Sequence, residues 1–150
     1  MEMSHHIACP NCNAVNRVGS ARLADGPKCG KCKQPLFTAH PIVLTDANFP
    51  DQVERSSLPV VVDFWAPWCG PCQSMAPHFE RATTALEPQF RLAKMNTDEN
   101  PKTSLRHRIR SIPTMIMFRG GEEVARQAGA MDARAIASWV RSAAGGLSSE

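Results

Sequence analysis

Six cysteines stand in this chain, at positions 9, 12, 29, 32, 69 and 72, and each belongs to a Cys-x-x-Cys pair. Two thiols at this spacing can share a metal ion or close a reversible disulfide, so the pattern itself points to metal ligation or thiol–disulfide exchange. The first two pairs, Cys9-Pro10-Asn11-Cys12 and Cys29-Gly30-Lys31-Cys32, are separated by 16 residues, inside the range for a four-cysteine zinc site. Pro10 and Gly30 favour the tight turns that let two thiolates grip one face of a tetrahedral ion. Four sulfurs at about 2.3 Å leave the ion no open position, which is the form of a structural site. An iron–sulfur cluster is the other occupant such spacing admits. Asn13, Lys33 and Gln73 follow the three pairs where c-type haem attachment needs a histidine, so that chemistry is excluded.

The third pair, Cys69-Gly70-Pro71-Cys72, has a different setting. It follows Pro59-Val60-Val61-Val62-Asp63-Phe64-Trp65, a β-branched and aromatic run that reads as a buried strand. Behind it Met75, Ala76, Phe79, Ala82, Ala85 and Leu86 recur at helical spacing. The pair therefore caps a strand-to-helix junction. Unpaired backbone N–H groups and the helix dipole there stabilise a Cys69 thiolate and make it an attacking nucleophile. Cys72, one turn inside, is placed to attack a mixed disulfide formed at Cys69. Pro71 suits the first helical turn, where its missing N–H is not needed. A carboxyl group inside an apolar strand, Asp63, should have a raised pKa and act as a general base near neutral pH. Trp65 and Trp68, three residues apart, suggest one ring inside and one outside.

The run Trp65-Ala66-Pro67-Trp68-Cys69-Gly70-Pro71-Cys72, followed some forty residues later by Ile112-Pro113-Thr114, resembles the thioredoxin family from about Val43 to Ala144. With the four-cysteine segment included, the arrangement most resembles the bacterial thioredoxin 2 subgroup, in which a zinc ribbon precedes the thioredoxin domain. The resemblance implies the thioredoxin fold, a mixed central sheet with helices on both faces. It implies Cys69 as nucleophile, Cys72 as resolving thiol, and Asp63 as the buried acid that relays a proton to or from Cys72. Lys94, in Leu92-Ala93-Lys94-Met95-Asn96, matches the lysine that approaches this acid, and Pro113 matches the cis-proline facing the cysteine pair. Trp68, Gly70, Pro71, Ile112 and Gly129 complete the implied substrate-docking surface.

The implied activity is protein-disulfide reduction, with disulfide-containing proteins as substrates and thioredoxin reductase, an NADPH-linked flavoprotein, as electron donor. Gly-Pro between the cysteines resembles the reducing members, whereas oxidising relatives more often carry histidine there. A disulfide oxidase or isomerase remains one alternative, and a zinc-ribbon recruitment module another. The chain departs from the family pattern at Pro67, which replaces a polar residue, and at Arg108 and Ser111, where glycine is common. With Arg106, His107 and Arg110 these make a basic loop, expected to steer acidic substrates to Cys69.

These residues need a scaffold. Pattern and capping signals predict strands over 42–44, 59–65, 91–96, 114–119 and 122–128, with a turn at Gly120-Gly121. They predict helices over 47–56, capped by Thr45 or Asp46, over 70–86 with a kink at Pro77, over 102–107, and over 132–143, capped by Asp132. The order is that of an α/β domain. The expected division is a zinc ribbon over 1–38, a linker over 39–42, a thioredoxin domain over 43–144 and a flexible tail over 145–150.

A chain of 150 residues with 43% hydrophobic and 21% charged side chains fits one ordinary domain plus a small appendage, not a disordered or fibrous protein. No apolar run approaches the roughly 20 residues of a membrane-spanning helix. The net charge of +3 lies wholly in the first forty residues, where Arg17, Arg22, Lys28, Lys31 and Lys33 outnumber Glu2 and Asp25. Four thiolates around one Zn²⁺ would leave that segment only about +1, so nucleic acid is not an expected partner. Ile7, Val15, Val18, Leu23, Leu36 and Phe37 are too few to fold the segment, so metal binding should supply its folding free energy. His5 and His6 read as a solvated tail. Met1 to Cys12 does not read as a secretory leader, and paired thiols in a reducing compartment make a cytoplasmic monomer the expectation. One structural zinc and no tightly bound organic cofactor are expected. The ribbon is read as a stabilising cap, a selector of partners or a redox sensor.

Overall fold

The computed structural model describes residues 3–148, with side chains as far as Gly145. Strand β1 (Ser4–Ala8) pairs antiparallel with β2 (Val15–Gly19) in a two-stranded sheet. The five-stranded sheet has the order β3 (Ile42–Leu44), β5 (Arg91–Asn96), β4 (Val60–Trp65), β6 (Thr114–Arg119), β7 (Glu122–Ala128). β5 runs parallel to both β3 and β4, while β6 runs antiparallel to β4 and β7. The helices are α1 (Gly70–Leu86), α2 (Pro101–Arg106) and α3 (Ala133–Ser148).

The sheet is mixed and both faces are covered, as the resemblance implies, and the period of two along β4 decides what faces what. Val60, Val62 and Phe64 join Phe49, Val53, Met95, Ile116 and Phe118 in one core layer. Val61 points the other way, among Met75, Phe79 and Leu86 of α1 and Ile136 and Val140 of α3. Asp63 has the parity of Val61, so its carboxyl is directed toward α1, the helix that begins at the cysteine pair. The outer strand β7 presents Glu122, Glu123, Arg126 and Gln127, a polar edge that resists pairing with other chains. The β6–β7 turn needs positive φ at both central positions, and Gly120 (φ 60°) and Gly121 (φ 87°) supply it. A Cβ at Gly121 would also stand 2.9 Å from Glu54 Cγ.

Several elements differ from the sequence expectation. In place of a helix over 47–56 there is a π-helical turn, Pro50–Glu54, which buries Gln52 and Val53. Thr45 Oγ1 accepts from Asn48 N at 3.1 Å, a local cap that tightens the approach to it. Asp46 instead caps a different helix: its carboxylate accepts from Thr103 N at 2.8 Å and Lys102 N at 3.3 Å in α2. Asp132 caps α3 as expected, accepting from Ala135 N at 2.8 Å. α3 continues through the strong helix formers Ala143 and Ala144 to Ser148. Four residues of the expected tail, 145–148, are therefore helical, and residues 149–150 lie outside the described residues.

His5 and His6 do not form a solvated tail. They lie in β1, where His6 N donates to Ser57 Oγ (2.7 Å) and Ser57 N donates back to His6 O (3.0 Å). Ile7, Cys9, Val18, Cys29 and Leu36 form their own small core, closed from the other side by Leu58. Two buried polar side chains complete the joint. Gln52 Nε2 donates to Cys9 O (2.8 Å) and Asn13 Oδ1 (2.7 Å). Arg91, 2% exposed, donates to Leu36 O (2.8 Å) and Ala8 O (3.1 Å), and its guanidinium stacks 4.7 Å from the Phe37 ring centre. Arg91 of β5 thus meets two carbonyls of the N-terminal segment, and Gln52 of the π-helical turn meets a third that Asn13 N also reaches.

Candidate functional site

Cys69 is the N-cap of α1, and Cys72 lies in its first turn, with the two Cα atoms 5.2 Å apart and the sulfurs joined as a disulfide. The Cys69 backbone is extended (φ −88°, ψ 109°), which turns its Sγ back over the helix to accept from Cys72 N at 3.2 Å. Pro71 takes the place in the first turn where no N–H donor is required. Cys69 and Cys72 are 5% and 3% exposed, so the pair meets solvent through a narrow face.

That face is built by residues far apart in sequence. Ile112 O lies 3.7 Å from Cys69 Sγ, and the Ile112–Pro113 peptide is cis. Pro113 O accepts from Gly129 N at 2.9 Å, and Gly129 holds φ 98°, a conformation that favours glycine. Trp68 is 71% exposed, and its ring is anchored by Nε1 donating to Asp98 Oδ2 at 3.0 Å. At Gly70 a Cβ would meet nothing within 4 Å, so the bare backbone beside the sulfurs faces open space. Trp68, Gly70, Pro71, Ile112, Pro113 and Gly129 are thereby brought around one disulfide.

Behind it lies a second chemical setting. Asp63, Cys72 and Lys94 line one cavity of about 200 Å³ with Pro41, Trp65, Gln73, Pro77 and Glu80. Asp63 is 4% exposed and its Oδ1 has no hydrogen-bond partner. Burial pushes its carboxyl up to about 7, opposed by the charge of Lys94. Lys94 stands opposite Asp63 in the β4–β5 register but makes no ion pair with it; its Nζ sits 5.2 Å from the centre of the Trp65 ring. Trp65 is half-buried, so of the two tryptophans it is the inner one.

The loop before Pro113 is less basic in three dimensions than in sequence. Arg106 pairs with Glu54 at 3.0 Å. The His107 ring packs between Phe49 and Phe118 at 5.5 and 4.9 Å, and burial, followed by the Arg106 charge, holds its pKa below the usual histidine value. Among the described residues Arg108 and Arg110 have no ion-pair partner and remain its free cations. Arg108 adopts φ 53°, which explains why glycine suits this place, and Arg126 donates to its carbonyl and to that of His107.

The four N-terminal cysteines converge. Their Sγ atoms all lie within 4.8 Å of one another, with Cys9–Cys32 at 3.5 Å and Cys12–Cys29 at 3.7 Å. Corners of a tetrahedron around an ion bound at 2.3 Å are about 3.8 Å apart, so the set fits a closed four-thiolate site. The same turn is used twice. Asn13 N donates to Cys9 O and Lys33 N to Cys29 O, with Asn13 and Lys33 both at positive φ. Asn11 N and Lys31 N each donate to the first sulfur of their pair at 3.3 Å. The Cys32 N–H and the Asn16 amide, with Lys31 N, pull the Cys29 thiol down to about 6, while burial pushes the Cys9 thiol up to about 11. Such donors stabilise thiolate, the form that ligates metal.

Sequence reasoning missed Trp65, Gln73, Pro41 and Glu80 as walls of the Asp63 cavity, and Asp98 as the anchor of Trp68. It also missed Gln52, Leu58 and Arg91 as the seat of the N-terminal segment. Pro41, Asp98, Gln52, Leu58 and Arg91 carry no local signal, because each acts on residues far along the chain. Trp65 and Gln73 stand beside Asp63 and Cys72 in the sequence, and that adjacency is the signal that could have found them.

Comparison with known proteins agrees with this geometry. The model of the family described as Thioredoxin matches residues 40–142, and that described as Thioredoxin 2, N-terminal matches residues 8–34. The chain is similar to Thioredoxin C-3 of Corynebacterium nephridii, 42% identical over 134 residues that cover 89% of this chain and 92% of that protein. It is also similar to the thioredoxin of Synechocystis sp., 46% identical over 95 residues, covering 63% of this chain and 89% of the other. The thioredoxin of Rickettsia typhi is 40% identical over 97 residues, or 65% and 92% of the two chains.

Proposed function

The chain belongs to the thioredoxin family, with the N-terminal zinc ribbon of the thioredoxin 2 type, and from that premise we propose how its residues carry out protein-disulfide reduction. The Cys69–Cys72 pair at the head of α1 is the redox centre of a thiol–disulfide oxidoreductase. The observation that carries the mechanism is the placement of that pair between an open backbone face and the buried carboxyl of Asp63.

The Cys69 thiolate, stabilised by the Cys72 N–H and the start of α1, attacks one sulfur of a substrate disulfide. The substrate S–S bond breaks, its other sulfur leaves as thiolate, and a Cys69–substrate mixed disulfide forms. Cys72 then gives its proton to Asp63 and attacks Cys69 Sγ, releasing the second substrate sulfur as thiolate. Two electrons have passed to the substrate, and the Cys69–Cys72 disulfide is the product on the protein. Trp68, Gly70, Pro71, Ile112, Pro113 and Gly129 hold an extended substrate segment against Cys69. Lys94 moderates the acidity of Asp63 from across β4 and β5. An NADPH-linked thioredoxin reductase restores the dithiol.

Cys9, Cys12, Cys29 and Cys32 would hold one structural zinc that ties together the two cysteine turns of residues 1–38, the segment that the joint at 39–42 connects to the larger domain of 43–144. A metal with four thiolate ligands supplies folding free energy and no reacting position. The protein acts as a cytoplasmic monomer; no described helix is long and apolar enough to cross a membrane.

The test is NADPH-coupled reduction of insulin disulfides by the full chain with thioredoxin reductase. Turnover in the intact chain, none in Cys69→Ser, and a trapped substrate adduct in Cys72→Ser are expected. Turnover that survived in Cys69→Ser would refute the assignment.

A further inference from the structure

The cavity that holds Asp63 is closed on one side by the segment that joins the ribbon to the larger sheet. Pro41 forms part of its wall, and Glu80, one helical turn past the Pro77 wall residue, forms another part. Just before Pro41 the same segment is fastened to α1 and to its C-cap residue Glu87. His40 Nδ1 lies 2.7 Å from Glu80 Oε2, and Ala39 N donates to Glu87 Oε1 at 2.9 Å. Thr84 Oγ1 donates to Ala39 O at 3.5 Å, and one residue beyond Pro41 the chain enters β3, paired to β5 at Ile42↔Ala93. The joint is thus a strap stretched over α1 between the ribbon and the central sheet.

We propose that Pro41 is a gate wall of the Asp63–Cys72 cavity, held by the strap over residues 39–41, and that His40 and Glu80 are positioning residues that keep Pro41 in place for the proton transfer of the resolving step. The argument is one of solvent. Asp63 keeps its proton near neutral pH because its carboxyl is desolvated and Oδ1 is unpartnered. Whatever limits water entry therefore sets how readily it exchanges a proton with Cys72. The groups that face Asp63 are Lys94 from β5, Cys72 and Glu80 from α1, and His40 from the strap through Glu80; Met115, opposite it on β6, carries no charge. Lys94 acts by its charge. Glu80 is engaged by His40 at 2.7 Å, which places the pair to hold the wall. In the reaction, the Cys72 Sγ–H proton passes to Asp63, Cys72 Sγ bonds to Cys69 Sγ, and the Cys69–substrate bond breaks. The strap adds no reactant; it governs how dry that transfer is.

The proposal rests on Asp63 serving as the proton acceptor, and the experiment separates the two. In the full chain, reduced, the Asp63 carboxyl is titrated by ¹³Cγ NMR, alongside the pH profile of insulin reduction. The variants are Pro41→Ala, His40→Ala and Glu80→Gln. The His40 and Glu80 side chains are 70% and 45% exposed, so their replacement does not unseat the core. Pro41→Ala thins the wall and is expected to lower the Asp63 midpoint by about one unit, because added water favours the carboxylate. His40→Ala unfastens the strap and is expected to lower it by about half a unit. Glu80→Gln keeps an acceptor for His40 and is expected to titrate like the intact chain, which a charge effect would not allow. The activity profile is expected to move with the midpoint. An Asp63 midpoint unchanged in both Pro41→Ala and His40→Ala would overturn the gate while leaving Asp63 as acceptor. If Asp63→Asn leaves the activity profile of the intact chain unaltered, the acceptor reading itself fails, and the gate with it.

Discussion

Asp63 and Lys94 face each other across parallel strands without touching as an ion pair, the ammonium resting over Trp65 while one carboxylate oxygen has no partner. A salt bridge would hold the acid ionised at all working pH values. Separation leaves burial dominant, so the carboxyl is raised to about 7 and can change charge where thiols react.

A stability prediction follows with a definite sign. Asp63 has a folded pKa above its ordinary value of 3.8, so between about pH 4 and pH 7 the folded chain binds more protons than the unfolded one. Stability therefore falls as pH rises through that window and stays low above it. Asp63→Asn removes the ionisation and should flatten the dependence. At pH 8 the variant is expected to be more stable by about 2 kcal/mol, the cost of burying the charge less that of burying an amide. Urea unfolding at pH 4, 6 and 8 measures it; equal slopes against pH in both proteins would contradict the assignment.

Arg91 is the single side chain whose loss should most loosen the ribbon. Arg91→Ala strands two carbonyls, Ala8 O and Leu36 O, and leaves the Glu87 carboxyl beside it without a cation. A loss of about 3 kcal/mol is expected. Arg91→Lys should rescue little, because one ammonium lacks the planar fork that reaches both acceptors and stacks on Phe37. Hydrogen exchange, faster in β1 and around Leu36 than in β4 and β6, is the signature to look for.

Metal analysis of the purified chain should give one zinc per molecule, lost in Cys29→Ser. Stripping the ion with a thiol-reactive mercurial is expected to expose the β1–β2 amides while the five-stranded sheet keeps its protection. Retained protection throughout would mean that docking alone folds the segment.

Arg108 sits in a left-handed conformation (φ 53°) that any residue with a Cβ adopts at a cost. Arg108→Gly should remove that strain and leave the carbonyl bond from Arg126 intact, for a gain of about 0.5–1 kcal/mol. Thermal unfolding of the variant checks it; a lower midpoint would show that the Arg108 side chain contributes more than its backbone costs.

How much of this was readable in advance depends on whether a residue acts locally. The cysteine pairs, the buried β4 run, the Asp132 cap and the β6–β7 turn are local patterns, and they lie where the sequence predicts. The carboxyl of Asp63 was recognisable because a charge breaks an apolar run. The π-helical turn at Pro50–Glu54 was not, since amphipathic spacing alone does not tell i+5 from i+4 bonding. Asp46 was misassigned for a similar reason. It has the position of a cap for the nearest helix, yet the donors it meets, Lys102 and Thr103, lie 56 and 57 residues away. The ribbon seat follows the same rule. Gln52 meets Cys9 across 43 positions and Arg91 meets Ala8 across 83, and such pairings leave no periodic mark.

The way Gln52, Leu58 and Arg91 receive the ribbon sets a condition on protein engineering. Residues 1–38 are not a portable module, since they carry metal ligands but rely on Arg91 for donors to Ala8 O and Leu36 O and on Gln52 for a second donor to Cys9 O. A chimera that grafts this segment onto a single-domain host must also install those three recipient positions. Conversely, a shortened chain would expose an arginine and an amide shaped for absent carbonyls, and would gain from reverting both to residues suited to water.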